Sequence, residues 1–265
     1  GHEDIFVGVV GNEDHQKGTY LLKNDGKDHF TFSADIPESL RDGHDCFMTV
    51  HAVASANSKS QSVFLGGCDR DQNSTWAPRD RILSRKTASP PGKWNYLPQE
   101  NVPLRARDNG WGTVAVASAD LNKDGFPDIV AATHNFGFTE GAIQILMNNG
   151  NSKFLSLDQG ALSPGEKGKA SFIPWVRIAD VDGDGFADIL APIVAVFKDG
   201  KDPRLKRKFA LYHSISGKKF VNESSCLNSA LAYVADAHFM DLNHDGKADV
   251  LLIGSDGQFE IFYNF

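Results

Sequence analysis

Apolar residues along this chain recur in short alternating runs, and the runs come in sets. A β-like run covers 113–119, a second 172–179 and a third 233–240. Each leads into a polar, aspartate-rich stretch and then a short apolar run, at 129–132, 189–193 and 250–253. A third run follows and ends in a polar turn before a phenylalanine. Gly141-Ala142-Ile143-Gln144-Ile145-Leu146-Met147 leads through Asn149-Gly150 to Phe154, and Phe209-Ala210-Leu211-Tyr212-His213 leads through Ser216-Gly217 to Phe220. Asn-Gly and Ser-Gly pairs between alternating runs are hairpin-turn chemistry. A fourth, less regular strand completes each set. No segment carries the 3.6-residue period of an amphipathic helix.

The sets repeat. The stretches between first and second strands begin at Asp120, Asp180 and Asp241, which lie 60 and 61 positions apart. Two fainter copies precede them. Asp4-Ile5-Phe6-Val7 reads as the end of such a stretch plus its second strand, with Gly18 to Gly26 and Phe30 as the matching hairpin. Phe47 to Ala54 and Val63 to Gly67 form the next copy, where the intervening 55–62 holds no carboxylate. Four-stranded units at this period, each with two apolar faces to bury against neighbours, predict an all-β chain built as a β-propeller of about five units. The expected units fall near 4–54, 55–120, 121–180, 181–241 and 242–265, with about eighteen strands. The end units overlap in their second and third strands. A fragment of a larger propeller or a five-bladed ring with an incomplete edge is therefore expected, with a four-bladed ring as the alternative.

The aspartate-rich stretches carry the clearest chemistry. The first offers side-chain oxygens from Asp120, Asn122 and Asp124, the carbonyl of Phe126 and then Asp128. The second offers Asp180, Asp182, Asp184, the carbonyl of Phe186 and Asp188. The third offers Asp241, Asn243, Asp245, the carbonyl of Lys247 and Asp249. Alternating oxygens of this kind suit calcium, which takes six to eight oxygens in flexible geometry, better than magnesium. Gly125, Gly185 and Gly246 sit where the chain must turn sharply. The closing acid comes at the ninth position and strands flank the loop, which separates it from the helix-flanked EF-hand with its glutamate at the twelfth. About three calcium ions are expected.

The formal net charge of −7 disfavours nonspecific nucleic-acid binding, yet ten of the acids sit in these loops. Clustered carboxylates without a cation repel one another, and three divalent ions would bring −7 to −1. No apolar run is long enough for a transmembrane helix. No leader pattern opens the chain, and Gly1-His2 fits a processed or tagged start, so the cytoplasm is not implied. Cys46, Cys68 and Cys226 fit no metal spacing; Cys46 and Cys68 lie on opposite arms of one predicted hairpin, where either a disulfide or two free thiols would fit.

The loops, with the small-apolar strand before them and the Asp-Ile/Val-apolar strand after, resemble the FG-GAP/VCBS repeat of integrin α-subunit propellers and many secreted microbial proteins. The resemblance is strong from about Gly112 onward and weaker before. It implies a calcium-stabilised propeller outside the cytoplasm, secreted or at a cell surface, and no single activity. Family members include adhesins, lectins and propeller domains of polysaccharide lyases.

Function on such a scaffold is expected in the longer loops. Trp76 in one, and His134, Asn135, Phe136, Phe138 and Glu140 in another, are candidates for stacking on a sugar ring, against the plainer reading of a packed surface loop. A basic run at 197–208 fits a solvated loop better than an acidic ligand. No nucleophile elbow, zinc motif or phosphate loop appears, and His51, His134, His213 and His238 are scattered. The expected role is a binding or adhesion module for a glycan or protein ligand. A propeller domain of a carbohydrate-active enzyme, or a scaffold part of a larger surface protein, are the competing roles.

Overall fold

In the computed structural model, the structure describes residues 3–8, 19–41, 47–53, 60–68, 80–86, 92–103, 111–135, 140–150, 153–157, 160–162, 172–193, 208–231, 234–254 and 256–264. Among them lie eighteen strands in five antiparallel sheets. The first sheet holds β1 (Ile5–Val7), β2 (Tyr20–Asn24) and β3 (Phe30–Phe32). The second holds β4 (Phe47–Val53), β5 (Ser60–Gly67), β6 (Arg81–Lys86) and β7 (Asn95–Tyr96). The third holds β8 (Trp111–Ala119), β9 (Asp128–Asn135), β10 (Gly141–Asn148) and β11 (Phe154–Ser156). The fourth holds β12 (Arg177–Ala179), β13 (Asp188–Ile193), β14 (Lys208–Ile215) and β15 (Lys219–Asn222). The fifth holds β16 (Val234–Met240), β17 (Asp249–Gly254) and β18 (Phe259–Phe262).

Every sheet is a meander in which strands pair in chain order. Consecutive sheets pack face to face because strand alternation leaves each with apolar side chains on both faces. Leu21, Phe47, Leu65 and Trp94 fill the first gap, and Val53, Phe64, Ile129 and Phe154 the second. Val130, Ile143, Ile189 and Phe220 fill the third, and Leu190, Leu211, Val250 and Leu252 the fourth. The first strands run side by side, β4 against β8, β8 against β12 and β12 against β16. Consecutive meanders stacked through their faces, with first strands adjacent, are the blades of a β-propeller. The first and fifth sheets each leave apolar side chains exposed, Ile5, Val7, Phe30 and Phe32 on one and Met240, Phe259 and Tyr263 on the other.

The strand expected over 172–179 is regular only at Arg177–Ala179. Pro174 interrupts it, since proline has no N–H to give the ladder. Trp94 packs edge-on against Phe6 at 5.2 Å and Trp111 is buried, so both serve blade packing. Among the described residues no helix is long and apolar enough to cross a membrane.

Candidate functional site: three acidic loops on one rim

Each aspartate-rich loop joins the first strand of its sheet to the second, which places all three on the same rim. Their internal bonding repeats. The carboxylate of Asp120 accepts the N–H of Asp124 at 3.0 Å and of Gly125 at 2.8 Å, and Asp124 Oδ1 accepts the N–H of Phe126 at 2.9 Å. In the third loop Asp241 accepts from Asp245 and Gly246 at 3.1 and 3.0 Å, and Asp245 Oδ1 from Lys247 at 2.8 Å. In the second, Asp180 accepts from Gly183 and Gly185 at 2.8 and 2.7 Å, and Asp184 Oδ1 from Phe186 at 2.7 Å. Oxygens of Asp180, Asp182 and Asp184 come within 4.8 Å of one another.

The turn needs two left-handed residues. The sixth position is always glycine, with φ of 90°, 87° and 87° at Gly125, Gly185 and Gly246. The fourth is Lys123, Gly183 or His244, at φ 61°, 77° and 61°. The sequence pattern marked the sixth position and gave no sign of the fourth, because side chains there differ while the backbone does not.

The ninth-position aspartates are set apart by burial. Asp128, Asp188 and Asp249 are 0%, 1% and 0% exposed. One oxygen of each accepts the N–H of the loop's second residue, Leu121, Val181 or Leu242, at 3.0, 2.9 and 2.8 Å. The other accepts an N–H at the far end of the third strand, from Asn148, Ser214 or Asn264, at 2.7, 2.7 and 2.9 Å. Each carboxylate therefore ties first, second and third strands together, and still has lone pairs directed elsewhere. Asp4 makes the matching bond in the first sheet, accepting the Asn24 N–H at the end of β2 at 3.1 Å. Burial pushes the Asp128 carboxyl up to about 7, against the pull of the Asn148 and Leu121 N–H groups and with a further push from Asp124 and Asp120. Burial also raises Asp188, opposed by its two N–H donors and by His213. Asp245 is held below the usual carboxylate range by the Lys247 N–H and the Asn243 amide.

The loops of neighbouring sheets touch. Lys123 Nζ lies 4.2 Å from the centre of the Phe186 ring. A Cβ on Gly217, in the β14–β15 turn, would stand 2.1 Å from the Leu121 carbonyl oxygen, so that turn sits directly on the first loop.

Of the residues considered for ligand stacking, Trp76, Phe136 and Phe138 lie outside the described residues, as does 197–207 of the basic run. His134 is fully buried at the end of β9, edge-on to Phe172 at 5.5 Å. Asn135 and Glu140 close the base of the β9–β10 hairpin, with Asn135 Oδ1 accepting the Glu140 N–H at 3.1 Å. Cys68 is disulfide-bonded and Cys226 is a free, exposed thiol; Cys46 lies outside the described residues.

Stacked meanders, three of them with an acidic loop between first and second strands, define a repeat β-propeller. A family model of the FG-GAP-like repeat matches residues 120–191, from the first acidic loop through the second and into β13. No curated protein matches the chain in sequence. Among solved structures, a BT0996 RGII complex is similar at 10% identity and a TM-score of 0.43, covering 92% of this chain and 77% of that one. An exo-beta-1,3-galactanase from Clostridium thermocellum is similar at 10% identity and a TM-score of 0.32, covering 96% and 70%.

Proposed function

We propose that this chain is a calcium-stapled β-propeller module that acts outside the cytoplasm and presents its inter-strand loops to a glycan or protein ligand. The observation that carries the calcium reading is the common geometry of the three loops. Oxygens at the first, third and fifth positions each accept an N–H of the same loop, in all three loops. That donor set fits a hard cation wanting six to eight oxygens. Asp120, Asn122, Asp124, the Phe126 carbonyl and Asp128 would hold one ion, with the corresponding five residues holding each of the others. A bound ion supplies charge neutralisation; the chain's own groups supply the turn, the inward-facing carboxylates and the link to the third strand.

The disulfide at Cys68 supports an oxidising compartment. The apolar faces left exposed on the first and fifth sheets support a further packing partner, such as the rest of a larger propeller. Melting the protein with calcium and with EGTA tests the metal, since an ion bound only by the folded state raises its stability; identical curves would sink it. A glycan array run in both conditions tests the ligand. Calcium-dependent capture of a defined sugar supports recognition, while release of unsaturated products from an acidic polysaccharide would make the module part of a lyase instead.

A further inference from the structure

The fourth sheet differs from its neighbours at one spot that the repeat pattern does not require. In the first and third loops the third position is an amide, and Asn122 and Asn243 donate from Nδ2 to Oδ2 of Asp124 and Asp245 at 3.0 and 2.8 Å. In the second loop that position is Asp182, which has no such proton to give. Its Oδ2 lies 3.4 Å from Nδ1 of His213, and Oδ1 of Asp188 lies 3.3 Å from the same nitrogen. His213 stands on β14 just before Ser214, whose N–H reaches Asp188. The residues preceding the equivalent donors Asn24, Asn148 and Asn264 are Lys23, Met147 and Tyr263. The one imidazole in that series thus faces the one loop with an acid at its third position.

The spacing says what the cluster suits. A charge-assisted N–H···O bond closes to about 2.7–2.9 Å. A tetrahedral ion with bonds of about 2.0–2.1 Å holds neighbouring ligand atoms roughly 3.3–3.4 Å apart. The observed 3.4 and 3.3 Å match that tetrahedral edge. All three ligand atoms lie within 4.8 Å of one another. Imidazole nitrogen favours zinc and its transition-metal neighbours, whereas calcium takes oxygen.

We propose that Asp182, Asp188 and His213 form a site for a zinc-class divalent ion, beside the oxygen-lined loop, with its fourth position open to water or to an oxygen of a ligand. Asp182 straddles the two: Oδ1 accepts the Asp184 N–H within the loop at 3.1 Å, and Oδ2 turns to the imidazole. Asp182 and Asp188 are also ligands in the calcium reading, so the two ions would share these carboxylates, and Asp188 Oδ1 also accepts the Ser214 N–H at 2.7 Å.

The test uses the full chain stripped of metal by chelator and then titrated with zinc against a chromophoric chelator, in excess calcium, with cobalt(II) as a spectroscopic stand-in. One equivalent of zinc is expected to bind and to survive the calcium. Cobalt is expected to give the intense visible bands of a tetrahedral site. His213→Ala should weaken zinc uptake at least about ten-fold. Asp182→Asn, which restores the amide of the other loops, should do the same in a chain that folds. No zinc uptake, uptake unchanged in both variants, or zinc displaced by calcium would each overturn the proposal. The calcium-dependent melting shift is read on His213→Ala in parallel. Its retention with loss of zinc separates the two metals, and its absence in the unmodified chain would sink the calcium reading alone.

Discussion

The second and third sheets are built alike and held differently. Both are four-stranded meanders, and both first strands carry a bulge near their start, at Phe47/Thr49 and Thr113/Ala115. Ser62 pairs with Val53 where, in the next sheet, Asp128 pairs with Ala119. At that end the second sheet has a serine and no acidic loop. Its buried carboxylate lies at the opposite end instead. Asp80, 5% exposed, accepts the Gly67 N–H and the Thr113 hydroxyl, both at 2.9 Å. It therefore ties one sheet to the next, whereas Asp128 ties three strands of one sheet. An acidic loop is thus not needed to form a blade. It fixes the rim, and a blade without it borrows rigidity from its neighbour.

Chelation should separate the two sheets most strongly. At a hundred times Kd each site contributes about 2.7 kcal/mol, and for a domain this size 1 kcal/mol moves Tm by roughly 2–4 °C. EGTA should therefore lower Tm by roughly 15–30 °C. Amide exchange should accelerate first in 120–128, 180–188 and 241–249 and last in β5 and β6. Uniform acceleration would mean that the loops do not act locally.

Substitution of the two buried aspartates comes next. Asp128→Ala and Asp80→Ala each strand buried donors, at about 2–4 kcal/mol. Only Asp128→Ala should also shrink the calcium-dependent gain in Tm. Equal calcium dependence in the two variants would erase the contrast between the sheets.

A smaller effect follows from pH. The folded Asp128 carboxyl titrates at about 7, against 3.8 for an ordinary aspartate. Its contribution is thus fully present below about 4 and lost as pH rises through 7. In EGTA, the stability difference between the parent chain and Asp128→Asn should shift against the parent between pH 4 and pH 7. Calcium should flatten that slope. Urea melts at fixed pH measure it.

The smallest change is in the backbone. Lys123→Gly and His244→Gly place the residue that tolerates positive φ at the fourth loop position, as Gly183 already does. His244→Gly should stabilise by up to about 1 kcal/mol in thermal melts, Lys123→Gly should gain less because it also loses the Phe186 contact, and Gly183→Lys should cost about 1 kcal/mol.

Much of this was legible in the sequence. The spacing of aspartates and apolar runs gave the sheets, the meander order and the rim on which the loops lie, because strand alternation and turn residues are local signals. Asp4 was readable as the tail of a further copy. Asp80 was not, since nothing in its neighbourhood resembles the repeat and its partners come from two different sheets. His213 read as one of four scattered histidines. A comparison of the residues just before the third-strand donors, Lys23, Met147, His213 and Tyr263, would have marked it as the odd one in the column. The long loops gave composition without position, and His134 is buried with its ring edge-on to Phe172, in the segment ahead of β12.

Gly217 has a consequence for how such a chain can be remade. The β14–β15 turn comes so close to Leu121 and Asn122 that even one extra carbon would collide with main chain. A duplicated or transplanted fourth blade would bring that glycine along, but set beside a neighbour without an acidic loop it would close on nothing. A blade set after one that carries such a loop therefore needs a bare turn at this point, whereas a bare turn can follow any blade.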